Sequence, residues 1–187
     1  MDEEKQTGGQ LPERASWALH SWCRDLVLCI TVVTLLFAFL VRLVNVDGSS
    51  MYPTLHDRDK VALLSGLLYQ PKAGDIVVIR AAGYPDEPLV KRIIATEGQQ
   101  VDIDFQSGVV YVDGTALDEP YINEPTYVRG NIEFPLVVEE GCVFVLGDNR
   151  NDSTDSRFTL VGQVPEEQIL GKVLWVLWPA GRFGGVA

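Results

Sequence analysis

From Leu26 to Val41 the chain reads LVLCITVVTLLFAFLV, sixteen residues without a charge. An unbroken apolar run of this length predicts a helix rather than a strand, about 24 Å long. A bilayer's hydrocarbon core is roughly 30 Å thick. Trp17 and Trp22 at one interface, with Arg24 and Arg42 snorkelling outward, make up the difference. The run continues into Arg42-Leu43-Val44-Asn45 instead of the small residues that precede a cleavage site. An uncleaved single-pass anchor over residues 25–44 is therefore expected. Residues 1–24 are polar, contain a Gly8-Gly9 pair, and read as a short tail. Lys5, Arg14 and Arg24 before the span, against Arg42 and Arg58 after it, place that tail on the cytoplasmic side.

Beyond the anchor the pattern changes to short β-branched and aromatic runs. They are Asp75–Ile79, Leu89–Ile94, Gly108–Val112, Pro135–Val138, Cys142–Leu146 and Lys172–Trp178. Gly, Pro, Asp and Asn separate them at the spacing of strands and turns. Asp113-Gly114 between two such runs is a type I′ hairpin signal. Glu166–Leu170 reads as a helical turn. Residues 45–187 are thus expected to form a mainly β, antiparallel sheet or barrel-like domain on the extracytoplasmic side.

Composition narrows the chemistry. Of 187 residues, 47% are hydrophobic and 22% charged, enough for a packed core and too apolar for wholesale disorder. The net charge is −11, and −10 of it lies in residues 45–187. Nucleic acid, which needs a basic footprint, is excluded as a partner. Three cysteines, two of them in or beside the anchor, are expected to form no disulfide framework. Cys142, inside an apolar strand, reads as a small buried hydrophobe. With only His20 and His56, and no cluster at metal-ligand spacing, neither a metal nor another cofactor is expected.

Three polar segments interrupt the apolar pattern where chemistry could sit. The first, Val46–Leu55, carries Ser49-Ser50 between Gly48 and Pro53. Such a constrained turn can present a hydroxyl beside free backbone N–H groups, and local spacing does not choose between the two serines. The second is Lys91-Arg92. On a strand Lys91 shares its face with Leu89, Ile93 and Ala95, while Arg92 points the other way. An ammonium among aliphatic side chains loses affinity for its proton and becomes a usable base. The third is Gly147–Arg157, eleven residues without an aliphatic side chain after a core strand. A calcium loop fails there, since Arg150 takes a ligand position and the required glycine is missing. A histidine triad is also disfavoured: His20 precedes the anchor, and His56 has no obvious orienting acid.

Together these segments resemble the bacterial type I signal peptidases. The matching runs are S-M-x-P-T-L at Ser50–Leu55, G-D-I-V-V at Gly74–Val78, the Lys91-Arg92 pair, and G-D-N-R-x-x-S-x-D-S-R at Gly147–Arg157. The resemblance covers roughly residues 20–179 and is closest to the compact Gram-positive type. It implies that Ser50, not Ser49, is the nucleophile and Lys91 the general base. It implies that Ser153 hydrogen-bonds and orients the lysine amine, and that Asp148, Arg92, Asp155 and Arg157 shape and brace the site. Many Gram-negative members carry a serine two places before the nucleophile that completes the oxyanion hole; here that place is Gly48. The substrates implied are signal-peptide-bearing preproteins with small residues at the first and third positions before the cut. Arg42 and Ser50 are near enough in sequence, at most roughly 29 Å when extended, to keep the site by the lipid of the cytoplasmic membrane. Two alternatives remain open: a related Ser/Lys peptidase of the conjugative-transfer or self-cleaving type, and a catalytically silent β domain that binds exported chains.

Overall fold

The computed structural model describes residues 13–66 and 69–186. Helix α1 spans Glu13–Leu40, and up to Phe39 it belongs to a unit separate from the one that starts at Leu40. The helix begins at Glu13, inside the tail expected from sequence, because residues 13–24 contain no Gly or Pro to stop it. Residues 1–12 of that expected tail lie outside the described ones. Among the described residues no helix is long and apolar enough to cross a membrane, and the side chains of residues 35–39, within the expected span, are not among them.

The anchor's expected C-terminal end also moves. Residues Val41–Asn45 form strand β1, paired antiparallel with β2 (Lys60–Ser65) from Val41↔Leu64 to Asn45↔Lys60. A continuous apolar run hides the switch of period from 3.6 to 2, and only the partner strand reveals it.

β1 and β2 start an open antiparallel sheet that continues through β11 (Ile169–Trp178), β3 (Ile76–Ile79), β4 (Leu89–Thr96), β9 (Cys142–Leu146) and β10 (Val164–Pro165). A short β12 (Gly184–Gly185) also pairs with β11. The sheet is half of a barrel rather than a closed one, since β1 and β10 end the order. A second antiparallel sheet has the order β7 (Thr115–Ala116), β6 (Val109–Val112), β5 (Gln100–Asp104), β8 (Leu136–Val137). The expected hairpin joins β6 to β7, with Asp113 at φ 51° and Gly114 at φ 76°, as a type I′ turn demands. A 3-10 turn at Glu166–Gln168 leads into β11.

Strand β4 positions the site. Its six interior residues are all buried, so both faces are covered by other parts of the fold. Val77, Ile93 and Val145 belong to one apolar cluster on one side, with Leu89 packed against it. A bulge between Ile93 and Ala95 shifts the alternation, and Ala95 joins a different cluster with Phe144 and Leu146. Ala95 therefore does not share the Lys91 face, contrary to strict period-2 reading.

Candidate active site

Ser50 lies in a tight turn in which the Tyr52 N–H donates to Ser49 O at 3.0 Å. Gly48 starts that turn at φ +88°, a left-handed conformation that a side chain would strain, and its N–H donates to Asp57 Oδ1 at 2.9 Å. That N–H is thus committed, whereas the Ser50 N–H meets no acceptor among the described residues. The loop after β9 holds the turn from its other side. Asn149 donates its backbone N–H to Ser50 O at 3.0 Å and its side-chain amide to Ser49 O at 3.1 Å. Sequence reasoning passed over Asn149. Its only signal was its place beside Asp148 in a loop without aliphatic residues.

The Lys91 ammonium nitrogen is 2.7 Å from Ser50 Oγ and 3.0 Å from Val90 O. Ser49, by contrast, turns its hydroxyl to Asp152 at 2.6 Å, at an exposed position. Lys91 is 2% exposed. Burial pushes its pKa down from 10.5 to about 8; the carboxylates of Asp155 and Asp148 oppose the shift, and the Arg157 guanidinium adds to it. Desolvation dominates because Leu89 and Ile93 flank Lys91 on the strand and Val77 pairs with it on β3. Near neutral pH a useful fraction of the amine is therefore unprotonated and able to take the Ser50 proton.

Asp148 accepts two bonds from Arg92, Nε to Oδ1 at 2.9 Å and Nη2 to Oδ2 at 2.8 Å, and a third from the Thr54 hydroxyl. Arg92 also donates to Gly74 O at 2.8 Å and lies over the Tyr121 ring, 3.9 Å from its centroid. Asp155 accepts from Arg157 at 2.8 and 2.9 Å and from the Gly147 N–H at 3.0 Å. Arg157 continues to the carbonyls of Val128 and Arg150. Arg150, fully buried, pairs with Glu119 and donates to Gly147 O at 3.0 Å. The sequence pointed to Arg150 only as an obstacle to calcium; Glu119, 31 residues upstream, had no signal at all.

Ser153 departs from its expected role. Its Oγ is buried and has no hydrogen-bond partner among the described residues, so the bond to Lys91 is not made. It stands beside the Ser50 turn all the same. Ser153 Oγ and Ser50 O both lie within 2.5 Å of the point where a Cβ on Gly147 would sit. Only glycine fits there. His56 is exposed, its ring packed on Tyr52 at 5.1 Å. Cys142 is half-buried rather than sealed in the core.

The chain that builds this arrangement, a buried lysine on a serine hydroxyl, has relatives in sequence. Residues 19–178 match the family described as signal peptidase, peptidase S26. The chain belongs to that family. It is 36% identical over 169 residues to probable signal peptidase I-1 of Synechocystis sp., covering 85% of this chain and 82% of that protein. It is 32% identical over 187 residues to signal peptidase I of Bacillus amyloliquefaciens, covering 95% of each. Signal peptidase IB of Staphylococcus aureus is 31% identical over 88% of this chain and 92% of its own. Membership makes the chain a serine peptidase, and a hydrolase. All four motif runs quoted from the sequence fall within the matched residues.

Proposed function

We propose that this S26 peptidase removes N-terminal signal peptides from exported preproteins, with Ser50 as nucleophile and Lys91 as general base. The observation that carries the assignment is the 2.7 Å approach of a 2%-exposed amine to one of two adjacent serines. Neutral Lys91 accepts the Ser50 proton as Oγ attacks the scissile carbonyl. The Ser50 N–H, free of other acceptors, is the donor offered to the oxyanion. The Lys91 ammonium returns that proton to the departing amine as the C–N bond breaks, and the acyl-enzyme is then hydrolysed by a water from which the again neutral Lys91 takes a proton that it passes back to Ser50 Oγ. Asp148, Arg92, Asp155 and Arg157 brace the two loops around this pair, and Gly48 gives the turn its shape. Once Ser50 is acylated, the unpartnered Ser153 hydroxyl is the neighbouring group suited to hold the amine.

The reading includes a membrane anchor in α1, with the catalytic domain extracytoplasmic. Leu26, Val27, Leu28, Ile30, Val32 and Val33 are all exposed on that helix, as lipid-facing side chains are. Thr31 and Thr34 donate their hydroxyls to Val27 O and Ile30 O at 2.8 Å, the local satisfaction a polar group needs in hydrocarbon. An anchored site meets substrates whose own apolar segments hold them at the same membrane.

The test is cleavage of a peptide whose apolar run ends in Ala-x-Ala by the full chain in detergent. Ser50→Ala and Lys91→Ala are each expected to lower kcat/KM by at least ~10³-fold with the melting temperature kept. Ser49→Ala is expected to stay within about tenfold of wild type, having lost only an exposed hydrogen bond. A dead Ser49→Ala beside an active Ser50→Ala overturns the assignment, and no cleavage by wild type overturns the function.

A further inference from the structure

The segment after β11 lies beyond the residues matched to the family and is tied to the loop that follows Ser50. Ala180–Arg182 forms a 3-10 turn, and β12 then folds back with Gly184 opposite Val176 and Gly185 opposite Trp175. Val186 packs on the core cluster that contains Met51 and Leu55. Arg182 reaches the same loop with its charge. Its Nη2 donates to Thr54 O at 2.8 Å, and its Nη1 stands 3.4 Å from Asp59 Oδ2. Asp59 is 1% exposed and accepts the His56 N–H at 2.8 Å; Thr54 donates its hydroxyl to Asp148. Arg182 thus grips residues 54–59 at both ends, while Asn149 holds the Ser49 and Ser50 carbonyls from the opposite side.

We propose that Arg182 is a positioning residue for the peptidase reaction, setting the Ser50 hydroxyl against Lys91 by clamping the loop between Thr54 and Asp59. The inference rests on Ser50 being the nucleophile. The Arg182 side chain is only a quarter exposed; Nη2 is spent on the Thr54 carbonyl, and Nη1, buried and without a hydrogen bond of its own, is held there by the charge of Asp59, so both contacts of the guanidinium fall on the loop that carries Ser50. Loosening that loop displaces Ser50 Oγ from the amine. A displacement on the order of 1 Å between reacting groups costs about 100-fold in rate.

The experiment measures kcat, KM and melting temperature for the full chain, Arg182→Ala, Arg182→Lys and Ser50→Ala on the same peptide. Arg182→Ala is expected to lower kcat at least tenfold with KM within twofold, at a temperature where it is folded. Arg182→Lys is expected to recover part of the loss, because an ammonium can satisfy Thr54 O or Asp59 but lacks the fork that reaches both. Millimolar guanidinium is expected to raise kcat of Arg182→Ala at unchanged melting temperature and not to raise kcat of wild type; a merely structural role predicts no gain in kcat without a matching gain in melting temperature, since millimolar guanidinium is too dilute to alter folding itself. Wild-type kcat in Arg182→Ala overturns the proposal, as does a loss that follows the folded fraction and is not rescued. If Arg182→Ala does not fold, Arg182→Lys decides: a several-fold lower kcat at unchanged KM supports the proposal, and wild-type kcat overturns it. Activity in Ser50→Ala would instead overturn the nucleophile assignment.

Discussion

Lys91 and Arg92 are successive residues of β4, each 2% exposed, and the two faces of the strand treat their charges in opposite ways. On the Lys91 side the neighbours are Leu89, Ile93 and Val77, and no carboxylate among the described residues is within ion-pair distance. Its nearest polar atoms are a hydroxyl and a carbonyl, and the proton is weakly held. On the Arg92 side a carboxylate, a carbonyl and an aromatic face meet the guanidinium. Burial alone therefore does not make a base. Burial without a counter-charge does, while burial with one makes a brace.

The sharpest way to break this contrast is to give Arg92 the surroundings of Lys91. Asp148→Ala removes the bidentate carboxylate from a buried guanidinium, so unfolding free energy is expected to fall by about 3–5 kcal/mol. Urea denaturation measures it, and a loss under 1 kcal/mol would show that the pair is not a brace. A smaller effect of opposite sign is expected at the other residue. Lowering the Lys91 pKa from 10.5 to about 8 costs the fold about 3 kcal/mol while the amine is protonated in both states. That cost is fully present below pH 8. Between pH 8 and 10.5 the unfolded chain binds more protons, so the cost fades as pH rises. Lys91→Met should accordingly be more stable than wild type at pH 7, with the advantage shrinking toward pH 10.5. Equal stability across that range would mean that Lys91 is not desolvated. Least in energy, but most direct, is the acid limb of kcat/KM, expected near pH 8 and moving lower in Asp148→Asn, where a carboxylate that favours the ammonium is gone. A limb near 10 would remove Lys91 as the base, and one near 6.5 that disappears in His56→Ala would transfer the role to histidine.

Much of the β domain was legible from local chemistry. Cys142–Leu146 and the Asp113-Gly114 hairpin stand where the pattern placed them, because period-2 alternation and αL turn residues act within a few positions. Strands β1, β2 and β5 were not read, nor were the two-residue β10 and β12. β1 continues the anchor's apolar run, β2 carries no alternation, and β5 is a brief Gln-Val-Asp-Ile-Asp with two acids. Each is a strand because of a partner strand, and partners are not local.

The site divides in the same way. Residue types and their order along the chain singled out the turn at Ser49-Ser50, the lysine at 91 and the loop at 147–157, since a hydroxyl, an amine and a cluster of polar groups are properties of side chains. Tertiary structure alone decided the rest. Ser50 faces an amine 41 residues away, whereas Ser49 faces a carboxylate 103 residues away. Arg150 finds Glu119, Ser153 finds no partner, and Arg182 reaches back 128 residues to Thr54. A pKa and a hydrogen-bond partner depend on what surrounds an atom in space, and those surroundings exist only once distant segments have packed.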